Sequence, residues 1–335
     1  MSADGKVNPV VDVVFPAVIT FSLFTSVFYL PKIPVVGRYL AFFEMVSLFS
    51  PLPLIYTSLK KNRTAGVFAL TAVLIALVVL MDIRYGLIFF VEYGIVAVII
   101  AESIKRNFPV EKTILYCVLG SLISGAVILL TSLLFRSGNP YVFLIEQMKA
   151  SLDNSLEHYQ SLGAGGNVSI EDVRETIEHL KKITVRIFPA LLIIGLIIGS
   201  IVNYFTAQYL WLKYIARESS PKRSFSQWIL PDYVVWTFIV PGFLLVFPGI
   251  GVVRNVSLNL FILVSLIYFL QGMSVTVFFY RKLQVSPVFR RLVLPLFIFL
   301  IILTAGPFVA LVITGVGLFD TWVDFRKIRP KTQAQ

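Results

Sequence analysis

The residues of this chain best placed to do chemistry are two carboxylic acids inside long apolar stretches, Glu44 and Glu92. A charge near the middle of a bilayer costs about 2.5–3.5 kcal/mol on insertion scales, so an acid kept there is a functional candidate. At about 1.5 Å per residue, both acids fall at a similar depth in the outer half of a membrane. Together they are candidates to bind a cationic solute or carry a proton. Alternatively, each is protonated or hydrogen-bonded to a nearby Tyr or Ser.

A second candidate feature is the segment Ser50-Pro51-Leu52-Pro53-Leu54. Each proline lacks an N–H and clashes with the preceding turn, so carbonyls near Phe49 lose their helical partners. Unwound backbone at membrane depth persists only when it is buried in protein or lines a cavity. The sequence therefore predicts a helix break at Ser50, Pro51 and Pro53. It is either part of a substrate-binding site, as in many transporters, or a plain structural kink.

Two further groups of polar residues stand within or beside apolar runs. Asn203 and Gln271 are predicted at comparable depth, where amides commonly hold helices together. Another group follows the last apolar run and consists of Asp320, Trp322, Asp324 and Arg326. Indole rings at a membrane boundary are ordinary anchors. The charged members are alternatively a patch that contacts a partner protein.

These residues are carried by apolar runs of about twenty residues, the length that crosses a bilayer core. Hydrophobic residues make up 57% of the chain. Backbone polar groups must be satisfied internally in lipid, which indicates helices. The predicted fold is an all-α, polytopic transmembrane helical bundle with an extramembrane helical hairpin at 137–186. About nine spans are predicted by length and composition, near 10–30, 39–58, 65–80, 85–104, 113–134, 187–214, 232–249, 256–280 and 292–318.

The net charge of +11 comes from basic residues in short loops between the apolar runs. Orientation signals and anionic lipid headgroups explain such clusters, so we expect lipid contact and no nucleic-acid partner. The basic loops fall on alternate connections, and placing them in the cytoplasm predicts a cytoplasmic N-terminus. Nine crossings would leave the C-terminal tail outside. Alternatively, Gly306-Pro307 breaks the last run into a hairpin that returns the tail to the cytoplasm.

Few residues are available for metal or redox chemistry. The single cysteine, Cys117, excludes an intramolecular disulfide or a thiolate cluster within one chain, and the two histidines are His158 and His179. We therefore expect no metal, no cofactor and no enzymatic activity.

Four stretches of the sequence resemble the YybS-like bacterial membrane proteins, a family catalogued as domain of unknown function 2232. They are SLFSPLPLIYTSLKKNRTAG, WILPDYVVW, NLFILVSLIYFLQGMSV and GVGLFDTWVDFRK. That family is in turn similar to the substrate-binding S-components of energy-coupling-factor transporters. The resemblance implies a six-helix module at 1–217 with both ends cytoplasmic and exterior connections at 31–38, 81–84 and 135–186. Further membrane helices would follow at 218–328, before a tail at 329–335.

Two functions remain open at this point. The first is binding or transport of a small solute in the bacterial inner membrane, using Glu44, Glu92 and the predicted helix break. The second is a non-enzymatic scaffold whose exterior hairpin and terminal charged group recruit envelope or cell-division proteins.

Overall fold

The computed structural model describes the chain in separate stretches, and in them every regular element is helical. The described stretches are residues 10–29, 45–134, parts of 141–153, 170–214, 225–247, 251–284, 286 and 294–328. Two units are distinguished. Unit 1 comprises Met1–Val185 and Gly195–Ser220, and unit 2 comprises Arg186–Ile194 and Pro221–Gln335.

The first six helices belong to unit 1. They are α1 (Phe15–Tyr29, preceded by a π-helical turn at Val10–Val14), α2 (Leu52–Lys60), α3 (Arg63–Leu80), α4 (Ile83–Phe89), α5 (Ile95–Lys105) and α6 (Val110–Leu134). A π-helical turn, Phe90–Gly94, joins α4 to α5 without a loop. The core packs α1, α2, α3 and α5 together through apolar side chains such as Leu54, Ile55, Val73 and Ile100.

Short polar connections set the boundaries of these helices. The Asn62 side chain accepts a hydrogen bond from Ala65 N at 2.8 Å and caps α3, which satisfies a backbone donor that no helical carbonyl reaches. Asp82 caps α4 in the same way, through Arg84 N at 2.8 Å. At the end of α5, Asn107 has a φ of 55°, the left-handed conformation that commonly terminates helices.

Helix α7 (Ile170–Tyr214) is 45 residues long and contains Pro189. Its first part carries exposed polar residues and its second part is apolar, as predicted for a helix that enters the membrane. Several residues of 141–153 are also helical, and Asp153 forms an ion pair with Lys181 of α7. This contact links the two arms of the predicted extramembrane hairpin.

In addition to Arg186–Ile194 of α7, the described residues of unit 2 form three further helices and a short 3₁₀ turn. The turn is Phe225–Gln227, and the helices are α8 (Val234–Val246), α9 (Gly251–Lys282) and α10 (Leu294–Val323). Helices α9 and α10 touch backbone to backbone, because a Cβ at Gly272 would stand 1.9 Å from the carbonyl oxygen of Ile313. Only glycine permits this approach.

In the described residues, seven helices are long and apolar enough to cross a membrane, and α8 is a shorter apolar helix. The predicted all-α membrane bundle is confirmed. The predicted span at 39–58 is described only from residue 45, where turns precede α2. The last predicted span contains a break at Ala305 (φ −135°, ψ 31°), directly before Gly306-Pro307.

Candidate functional site

The break in the second predicted span is a series of tight turns just before α2. Ser50 N donates to Ser47 O at 2.9 Å, and Leu52 N donates to Phe49 O at 3.0 Å. In an α-helix, Ser47 O and Phe49 O would instead bond the nitrogens at 51 and 53, which are prolines without an N–H. The Ser50 hydroxyl also donates to Ser47 O, and Ser50 is completely buried. The two prolines therefore redirect the backbone, and Ser50 helps to hold the new path.

Asn203 of α7 completes this turn from 155 residues away. Its Nδ2 donates to Leu48 O at 2.8 Å and to Gly199 O of its own helix at 2.8 Å. Leu48 O is the carbonyl that the turn leaves without a helical partner. Asn203 is 1% exposed, and its Oδ1 has no hydrogen-bond partner among the described residues. The predicted helix–helix amide thus also offers a buried acceptor beside the broken helix.

Glu92 lies in the π-helical turn Phe90–Gly94. It is the tenth of 23 residues in the apolar helix Ile83–Lys105, so about 14 Å of helix at ~1.5 Å per residue separates it from the start. Its side chain is half-buried, and among the described residues nothing hydrogen-bonds to the carboxylate. π-Helical turns of this kind occur frequently at functional sites because they displace side chains from the regular helical positions.

Tyr93 ties the π-helical turn to the broken segment. Its side chain hydrogen-bonds the Ser47 side chain. Its ring packs edge-on against Phe24 of α1, with centroids 5.8 Å apart. Phe89, one turn earlier, contacts the same Phe24 ring at 5.1 Å. The residue next to Glu92 therefore contacts both the turn at 47–51 and α1.

Among the predicted site residues, the structure brings Ser50, Pro51 and Asn203 to one turn and places Glu92 beside a residue that contacts that turn. Pro53 lies in the first turn of α2. Glu44 lies outside the described residues, so the predicted pairing of Glu44 with Glu92 stays a prediction.

A charged residue of unit 1 that the sequence reading passed over is Asp12, in the π-helical turn before α1. It is 7% exposed and pairs with Lys61, with Nζ and Oδ2 3.1 Å apart. Lys61 directly follows α2, so α1 begins on the side of the unit where α2 ends. Spacing alone does not reveal this pair, because its members are 49 positions apart.

Unit 2 contains a buried polar network centred on Arg326. Its Nη2 donates to Asp320 Oδ2 at 2.8 Å, and its Nη1 donates to Ser226 O at 2.9 Å and to Ser274 Oγ at 2.7 Å. Gln271 Nε2 donates to the same Asp320 oxygen at 2.8 Å. Asp320 is 1% exposed and Arg326 4% exposed. The predicted helix-linking residue Gln271 thus joins α9 to α10.

The burial of Asp320 and Arg326 limits which of the four residues predicted as a partner contact are accessible to a partner. Asp320 and Arg326 are engaged with each other and with residues of their own unit. Asp324 adopts a left-handed conformation, with a φ of 44°, and its Oδ1 accepts from Ile328 N at 3.3 Å. Trp322 is 57% exposed and is the member with the most accessible side chain. A partner contact at this group stays a prediction.

Another polar contact, which the sequence did not predict, replaces a helical hydrogen bond of α7 at Pro189. Ala190 N, which would bond Arg186 O in a regular helix, donates to Asn259 Oδ1 at 2.9 Å. Asn259 Nδ2 in turn donates to Arg186 O at 3.0 Å. The Asn259 amide is therefore inserted into the helical hydrogen bond that the proline disrupts. Pro189 in the sequence predicts that a helical hydrogen bond is lost there, but it does not predict that Asn259 provides the replacement.

Within the described ranges, no three His, Cys, Asp or Glu side chains come together as metal ligands.

The sequence profile of one family, described as "Predicted membrane protein (DUF2232)", matches residues 18–321. No curated protein and no solved structure matches the chain.

Proposed function

We propose that the chain, which belongs to this family of predicted membrane proteins, binds and translocates a small cationic solute across the bacterial cytoplasmic membrane. Unit 1 supplies the binding residues. The resemblance of this family to S-components of energy-coupling-factor transporters, expected from the sequence, would favour binding of a small solute.

The observation that carries the proposal is the state of Glu92. An ionisable side chain near the middle of a membrane helix usually has a partner within the protein or lines a solute pathway. Glu92 has no hydrogen-bond partner among the described residues, and the π-helical turn removes it from regular helical packing. A bound cation would supply the missing partner.

The polar groups near Tyr93 suit the same kind of ligand. The free Oδ1 of Asn203 is an acceptor, and the turn it caps is interrupted backbone of the type that transporters use at binding sites. Acceptors and a carboxylate recognise a metal cation or a protonated amine, which brings positive charge and, in the amine, N–H donors. The proposal therefore names cations as the substrate class.

We place the N-terminus in the cytoplasm. The Asp12–Lys61 pair supports one shared side for the start of α1 and the α2–α3 connection. That connection carries Lys60, Lys61 and Arg63, and such basic loops are typically cytoplasmic. A cysteine introduced at Lys60 should resist a membrane-impermeant maleimide in intact cells, whereas one at Arg84 should react.

The function is tested with purified protein in proteoliposomes, using radiolabelled sodium, rubidium and methylammonium as probes. We expect uptake of at least one probe above that of empty liposomes, and a reduction of at least tenfold in Glu92→Gln. The matched control is Glu102→Gln on α5, because Glu102 already has an ion pair with Arg106 at 2.5 Å. The control should retain uptake. Absence of uptake by the unmodified protein, or equal uptake by Glu92→Gln, contradicts the proposal.

A scaffold function has one observation in its favour. The early part of α7 is exposed and charged, with Arg174, Glu175 and Lys182 all accessible. Such a surface suits a protein partner in the envelope. Photo-crosslinkers placed between residues 141 and 183 should then recover one protein reproducibly from intact cells. A crosslinker at Arg84, on a different connection, is the control and should not recover it.

A further inference from the structure

Unit 2 contains an apolar groove between α9 and α10 that the proposed solute site does not use. Its volume is about 500 Å³, within the size range of small-molecule pockets. The walls are mainly apolar side chains: Val275, Phe279, Leu283, Val316 and Phe325.

The groove is open rather than sealed. Phe279 is 47% exposed, Leu283 44% and Phe325 41%. These three side chains lie near the ends of their helices, since α9 ends at Lys282 and α10 at Val323. An extended apolar chain can therefore lie along the walls and leave the groove at the helix ends.

Positive charge stands where the groove ends. Lys282 is seven residues after Val275 and three after Phe279, so it lies on the same face of α9 as the groove wall. Its Nζ stands 4.3 Å from the centre of the Phe278 ring, which holds the ammonium at the end of the helix. Arg281 precedes it. The buried acid Asp320 does not neutralise Lys282, because Asp320 is paired with Arg326.

We propose that this groove binds one acyl chain of an anionic phospholipid, with the lipid phosphate held by Lys282. Apolar walls followed by one cationic side chain complement the acyl chain and the phosphate of such a lipid. A single basic residue near an anionic lipid surface contributes about 1 kcal/mol, so loss of Lys282 should weaken binding about fivefold.

Native mass spectrometry of the full-length detergent-purified protein tests the proposal, with palmitoyl-oleoyl phosphatidylglycerol and the matching phosphatidylethanolamine as probes. The unmodified protein should retain phosphatidylglycerol in preference. Lys282→Gln should lower that preference about fivefold. The matched control is Lys60→Gln, because Lys60 also lies over a ring, that of Tyr56 at 5.5 Å, in unit 1.

A second variant distinguishes lipid binding in the groove from general electrostatic attraction of lipid to the protein. Thr276→Trp should fill the groove, because Thr276 lines it and its hydroxyl bonds only Gly272 O of its own helix. It should lose binding of both lipids. Thr71→Trp is the control, since Thr71 is exposed on α3 and makes the same kind of bond to Val67 O.

Three results would overturn the proposal. They are no lipid bound to the unmodified protein, equal losses in Lys282→Gln and Lys60→Gln, or full binding in Thr276→Trp.

Discussion

Replacing Asn259 by alanine should destabilise the protein through a helix that Asn259 does not belong to. The change removes the acceptor of Ala190 N and the donor to Arg186 O. Ala190 is completely buried, so its N–H would stay unsatisfied. An unsatisfied buried donor costs about 1–3 kcal/mol, and hydrogen bonds between membrane helices average about 0.6 kcal/mol. We expect a loss of about 2 kcal/mol in the free energy of unfolding.

The cause is tested by repeating the change in a Pro189→Ala background. Without the proline ring, Ala190 N can return to Arg186 O, as in a regular helix. Asn259→Ala should then cost only about 0.5 kcal/mol, so the two sites should be coupled by about 1.5 kcal/mol.

The assay is reversible unfolding in mixed micelles of dodecylmaltoside and sodium dodecylsulfate. Ser265→Ala on α9 is the control, because Ser265 bonds only Phe261 O in its own helix. It should change the unfolding free energy by less than about 0.5 kcal/mol. Equal costs of Asn259→Ala with and without Pro189 would refute the idea that the amide compensates for the proline.

Three more outcomes follow from unit 2 and from the cap of α4. Gly272→Ala should lower the free energy of unfolding by about 3 kcal/mol or more in the same assay, because its Cβ would overlap a backbone carbonyl. Gly315→Ala is the control and should not destabilise the protein, because nothing lies within 4 Å of the added Cβ. Arg326→Met should cost about 3–5 kcal/mol by leaving Asp320 buried and unpaired, and adding Asp320→Leu should recover part of that loss. Asp82→Ala should lower the melting temperature near neutral pH. The pKa of Asp82 is lowered by its hydrogen bonds to the neighbouring guanidinium, so the cap is complete above the ordinary carboxyl pKa and is lost as the pH falls through the lowered value. The melting difference between the unmodified protein and Asp82→Ala should therefore shrink in acid, and a constant difference would contradict this.

Local chemistry made part of the candidate site predictable. Pro51 and Pro53 cannot donate to the preceding turn, so a break before α2 follows from residue type alone. The apolar runs likewise indicate membrane helices, because their length matches a bilayer. Gln271 in an apolar run signals a polar contact, although not its partner.

Contacts between distant residues were not predictable in this way. The capping of Leu48 O by Asn203 spans 155 positions, and the π-helical turn at Glu92 lies inside one continuous apolar helix, Ile83–Lys105. Asp320 and Arg326 also look like ordinary boundary charges in the sequence. Their burial depends on the Ser226 carbonyl and the Ser274 hydroxyl, which come from other segments.

The Asp12–Lys61 pair has a consequence for the order of biosynthesis. Chains grow at about 5–20 residues per second, so Lys61 is added to the chain about 2.5–10 s after Asp12. During that interval the Asp12 carboxylate lacks its contact with Lys61. The Asp12–Lys61 contact can therefore form only after α2 has been made, so this end of the first helix is completed together with the segment that follows it.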